Sequence, residues 1–147
     1  MGLFDKILGG SSASETLTKE EGFVAVLLCT LASDGNVADE ELQALFTICG
    51  RTKLLGGQSP DRWKSMFKKI MGQLQKHGLA KVLADACQVL PKELRETAFA
   101  LAVDMVFADG SVEAGERKLI ELLQKELQIS DVLALKVVEV IELKNRG

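Results

Sequence analysis

Tyrosine is missing from this 147-residue chain, proline stands only at 60 and 91, and histidine only at 77. With so few prolines, long stretches rich in Ala, Leu, Glu, Lys and Gln are free to run as helix. Cysteine is scarce too: Cys29, Cys49 and Cys87 are an odd, widely spaced set without a CxxC pair. They read as small buried hydrophobes in a reducing compartment, not as a disulfide framework. No basic stripe is present, and 18 bases against 21 acids leave a net charge of -3, so no nucleic-acid partner is expected. The longest apolar runs, around 23–32 and 98–108, are about half of what a membrane helix needs. Residues 1–10 lack the basic start and long apolar core of a secretory signal, and the expectation is a soluble, cytoplasmic protein. There is no Walker loop, HExxH, serine elbow or Cys–His pair close in sequence. Paired carboxylates could do acid–base work at a raised pKa, but no substrate cue accompanies them, and no enzyme is expected.

What is present is a globular balance of 47% apolar and 27% charged residues, enough for one self-sufficient domain. Residues 1–17 read as an arm and linker, with a short amphipathic stretch at Met1–Leu8 followed by Gly9-Gly10-Ser11-Ser12-Ala13-Ser14. The arm could dock on this protein, on a partner or, weakly, on a membrane surface through residues 1–8. Lys6 departs from the myristoylation pattern. The domain spans 18–147 and is predicted to be an all-α bundle of about seven helices. A capping box at Thr18-Lys19-Glu20-Glu21 opens the first helix, to about Ser33. The second runs over 38–51. Ser59-Pro60 caps a third that ends at Gly78. Further helices cover 79–90, Pro91 to Ala108, and 113–128, and Ser130-Asp131 caps a last one to Lys144. His77 fits a cation at a helix C-terminus. The first and fifth helices carry apolar residues nearly all round, which predicts two central helices.

The chain also repeats itself. Asp34-Gly35 and Asp109-Gly110 lie 75 residues apart, and at that offset Val37 meets Val112, Glu41 meets Glu116, and Leu45 meets Ile120. Each half reads as apolar helix, Asp-Gly, Val, Glu, amphipathic helix, which suggests a pseudo-two-fold internal repeat. The glycines would end their helices in the left-handed conformation, the valines would pin the turns, and the glutamates would favour the positive ends of the next helices. Ala38 and Glu113 stand where a full capping box needs Ser, Thr, Asp or Asn.

A second reading takes the acids as a hard-cation site, since carboxylate oxygens suit Ca²⁺, Mg²⁺ or Mn²⁺. Carboxylates about 4 Å apart repel by about 1 kcal/mol even in water, and a cation removes that repulsion. No EF-hand is expected. In that frame Gly35, Val37 and Glu41 fit, but the first and third loop positions would be Thr30 and Ala32, or Met105 and Phe107 in the second half. Asp104 lies inside the apolar run 98–108 and needs a partner, which is either a cation or a base. Its counterpart in the first half is Cys29, so the halves are not equivalent.

Ala32-Ser33-Asp34-Gly35-Asn36-Val37 with Glu41, and Asp104 to Val112 with Glu116, resemble the tellurite-resistance TerB-like family, and the leader Met1-Gly2-Leu3-Phe4-Asp5-Lys6 is similar to how such proteins begin. The resemblance covers about residues 18–145. It implies a seven-helix pseudo-symmetric bundle and a non-catalytic accessory role in tellurite and chemical-stress responses, acting through partner proteins. In the family it resembles, a related domain occurs in a membrane-anchored DnaJ-like co-chaperone, as an accessory and not a catalytic unit. The metal ligands implied are Asp34, Glu41, Asp109 and Glu116, with Asp104 as a fifth, for a divalent ion such as Ca²⁺, Mg²⁺ or Mn²⁺. Tellurite is itself an anion that carboxylates repel, so any such role is indirect. The alternative is a helical protein–protein interaction module without metal, its acids acting as caps. An apolar face on the last helix (Val132, Leu135, Val138, Ile141) either covers the core or forms a dimer.

Overall fold

Local chemistry starts three of the helices. In the computed structural model, which describes residues 16–34, 37–108 and 114–146, Thr18 Oγ1 accepts from the Glu21 N–H at 3.1 Å and the Glu21 carboxylate accepts from the Thr18 N–H at 2.9 Å. This reciprocal box opens α1 (Lys19–Leu31), which tightens into a single 3-10 turn at Ala32–Asp34. α2 is Asp39–Gly50. Ser59 Oγ accepts from the Arg62 N–H at 3.2 Å and Pro60 takes the first helical position of α3 (Pro60–His77). α4 is Leu79–Val89, α5 is Lys92–Phe107 and α6 is Ala114–Glu126. Ser130 Oγ accepts from the Leu133 N–H at 3.2 Å to start α7 (Asp131–Lys144). The described residues are thus an all-α bundle without strands, and no described helix is long and apolar enough to cross a membrane.

Gly78 alone joins α3 to α4. Its φ of 84° is open to glycine at little cost, and its N–H still closes α3 on the Leu74 carbonyl at 2.9 Å. α6 ends in a Schellman turn: Ile129 N–H reaches the Gln124 carbonyl at 2.9 Å and Gln128 N–H the Lys125 carbonyl at 3.2 Å. Gln128 occupies the left-handed position, φ 58°, that glycine usually fills. Arg95 Nη1, from α5, completes that corner by donating to the Leu127 carbonyl at 3.2 Å and to Gln128 Oε1 at 3.1 Å.

One helix is central, not two. All ten residues from Glu21 to Thr30 are buried, with α4, α5, α3 and α2 packed around α1. α5 instead buries one stripe (Ala98, Phe99, Ala102, Val103, Val106), and its Leu101, Met105 and Phe107 are half-buried. The other helices are conventional, each giving a few residues to the core: Leu45 and Cys49 from α2, Met66 and Ile70 from α3, Val82, Leu83 and Ala86 from α4, Leu119 and Leu123 from α6. The packed core also takes in Leu17, one residue before the expected start of the domain.

The helices α2 and α6 start 75 residues apart, the same spacing as the two Asp-Gly pairs in the sequence. Their buried stripes differ by one residue in register. Leu45 and Cys49 are buried in α2, whereas Leu119 and Leu123 are the buried pair in α6, and Ile120, the residue aligned with Leu45, is half-buried.

Candidate functional site

Five acids stand as candidate ligands in the sequence: Asp34, Glu41, Asp104, Asp109 and Glu116. Asp109, with the whole of 109–113, and the side chain of Asp34 lie outside the described residues. Glu41 sits in the first turn of α2 and is exposed, with its Oε1 accepting from the Ala38 N–H at 3.4 Å. Because alanine offers no acceptor in return, this is half of a capping box. Glu116 is in the first turn of α6 and half-buried. Both carboxylates therefore stand where a helix's positive end favours them.

Asp104 has the base its position called for. Lys144 Nζ, at the end of α7, lies 3.0 Å from its Oδ1, and the Asp104 side chain is 32% exposed. The apolar run around it does not bury it, because α5 turns only one face inward. Lys144 also donates to Asn145 Oδ1 at 3.2 Å, and Asn145 Nδ2 donates to the Phe107 carbonyl at 3.4 Å. The end of the chain thereby fastens the last turn of α5. Among the described residues no three of His, Cys, Asp and Glu come together as a metal-holding group.

A second feature is concave. A cavity of about 270 Å³ opens between Thr16-Leu17, α3 and α4, lined by Gln73, His77, Lys81, Asp85, Gln88 and Val89 as well. Lys81 Nζ and Asp85 Oδ1 pair across one turn of α4 at 2.6 Å. Lys76 and His77 stand in the last turn of α3.

One partnership carried no signal in the sequence, and one expectation about the thiols holds only in part. Lys69 Nζ, on α3, reaches both the Thr16 carbonyl at 3.0 Å and Glu21 Oε1 at 2.9 Å. Burial raises the pKa of Glu21, but the hydrogen bonds from Lys69 and the Thr18 backbone outweigh it and hold the carboxyl below its ordinary 4.5. All three cysteines are free thiols. Burial pushes the Cys49 thiol up to about 12 and that of Cys29 higher still, so neither offers a thiolate. Cys87 is half-buried, its Sγ 3.6 Å from Arg95 Nη1.

No family model, curated protein or solved structure matches this chain.

Proposed function

We propose that this chain is a non-catalytic helical interaction module acting through partner proteins, with its acids serving as caps and ties. The observation that carries the reading is the pairing already made by the acids: Asp104 holds Lys144, and Glu41 holds the Ala38 amide. The buried, protonated thiols of Cys29 and Cys49 suit a reducing cytoplasm and serve no nucleophilic chemistry. A role in bacterial chemical-stress responses, tellurite among them, rests on the resemblance to TerB-like proteins alone.

A second reading keeps the divalent cation. It is supported by the recurrence of an acidic first turn at α2 and α6, which begin 75 residues apart. Glu41 and Glu116 would then join Asp34 and Asp109 around a Ca²⁺, Mg²⁺ or Mn²⁺ ion, and Asp104 would remain with Lys144.

Thermal unfolding of metal-stripped protein separates the two. Ca²⁺, Mg²⁺, Mn²⁺ and Zn²⁺ are added in turn to the parent and to the Asp34→Asn/Asp109→Asn variant. The interaction module predicts no shift and a variant as stable as the parent. An ion at a hundred times its dissociation constant stabilises by about 2.7 kcal/mol, or roughly 5–10 °C here. A shift of that size, lost in the variant, would establish the cation site instead.

A further inference from the structure

The last helix has two apolar faces. Ala134 is buried, and Leu133, Val137, Val138 and Ile141 pack against the core. The opposite side carries the four large hydrophobic residues that, among the described residues, are most exposed to solvent: Val132 at 65%, and Leu135, Val140 and Leu143 at 60% each. Lys136 and Glu139, both exposed, sit among them. Neither has an ion pair within the chain among the described residues. Scattered exposed hydrophobes need no explanation, but four on one face of a single helix, over about 16 Å of its length, form a contiguous strip.

The order of residues along that strip selects its partner. From one end it reads Val132, Leu135, Lys136, Glu139, Val140, Leu143. The spacing is symmetric about the point between Val137 and Val138, with apolar residues placed against apolar residues and lysine against glutamate. If a second copy of α7 lies antiparallel across a two-fold axis at that point, Val132 faces the partner's Leu143. Lys136 faces the partner's Glu139, and Glu139 the partner's Lys136. Leu135 stands level with the partner's Val140 on the opposite edge of the strip, so each charged layer is bracketed by apolar side chains. A parallel pairing would set lysine beside lysine and glutamate beside glutamate. A two-fold interface requires one surface complementary to itself, and this strip meets that requirement in one orientation only.

We infer that α7 is a self-association surface, and that two copies of the chain pair antiparallel through Val132, Leu135, Lys136, Glu139, Val140 and Leu143. The inference is independent of whether the acidic turns bind a cation. One helix face is smaller than the roughly 800 Å² per partner of a standard stable interface, so the dimer is expected to be weak, with a dissociation constant roughly in the micromolar range.

Sedimentation of the 147-residue chain from about 1 µM to about 1 mM tests this. The parent should pass from monomer to dimer mass within that range. Lys136→Glu sets glutamate against glutamate, and Glu139→Lys sets lysine against lysine. Each should weaken the dimer roughly tenfold while circular dichroism stays unchanged, since both positions are exposed. Mixing the two single variants should restore association, because each chain then offers the charge that the other lacks. Leu135→Glu should leave only monomer. A parent that stays monomeric throughout would overturn the inference and leave the strip to a different protein. So would a dimer indifferent to both charge reversals, which must use another surface.

Discussion

Glu21 is a carboxylate inside the packed structure, only 7% exposed, and it stays ionised because Lys69 and the Thr18 amide both donate to it. Its folded pKa lies below the ordinary value, so the stability it contributes is complete above pH 4.5 and is lost as pH falls through the folded pKa. Glu21→Gln keeps an acceptor for the Thr18 amide and removes the charge. Urea unfolding at pH 7 should show a loss of about 1–3 kcal/mol, because Lys69 then loses its counter-charge. The same series carried from pH 6 to pH 3 should show a shallower decline for the variant than for the parent. Parallel declines would mean that Glu21 titrates as an ordinary surface acid. The cap between Thr18 and Glu21 was legible because both partners lie within one turn of helix. Lys69, on another helix 48 residues away, was not. Asp104 repeats the lesson: an acid in an apolar run announces that it needs a base, but only the fold brings Lys144 to it. Arg95 announced nothing, since its task is set by the end of α6.

Among the elements, the helix starts were the most legible, because a cap is a matter of three or four adjacent residues. Thr18, Ser59 and Ser130 each stand where the sequence placed them. The role of α5 was less legible. Apolar residues can be counted along a helix, but the neighbours available to cover them cannot, and Leu101, Met105 and Phe107 are covered only in part. Gly22 also escaped notice. It lies mid-helix in α1, where glycine costs about 1 kcal/mol against alanine. A Cβ there would stand 2.6 Å from Val89 Cγ2 and 3.5 Å from the Ala86 carbonyl oxygen. The missing side chain is what lets α1 and α4 approach. Valine has few rotamers to yield with, so the overpacking in Gly22→Ala should exceed the gain in propensity and lower stability by about 1 kcal/mol or more. A rise in its urea midpoint would show that the two helices can draw apart without loss.

At the scale of the whole molecule, the all-α class followed from composition and periodicity together. The equal spacing of the α2 and α6 starts was legible in the sequence, but the one-residue offset between their buried stripes was not. Burial register depends on which neighbour each helix meets, and no single half contains that information. The three thiols measure how evenly the bundle holds together. Cys29 and Cys49 are fully buried with raised pKa values, whereas Cys87 is half-buried. A thiol reagent at pH 8 should therefore label Cys87 in the native protein and leave the other two until the bundle opens. Equal rates at all three under native conditions would mean that the core opens locally around α1 and α2.

The ten consecutive buried residues of α1 also have a consequence during biosynthesis. This helix has no face suited to water, so it gains little by forming before its neighbours. Its main packing surface, α4, begins at Leu79, 48 residues after α1 ends, and α5 follows later still. At about 5–20 residues per second, translation leaves a nearly uninterrupted apolar segment without its partners for roughly 2–10 s. Among the described helices, the first to be synthesised is thus the one that waits longest for its main partner. Early in its life the nascent chain offers chaperones a binding site that the finished protein conceals.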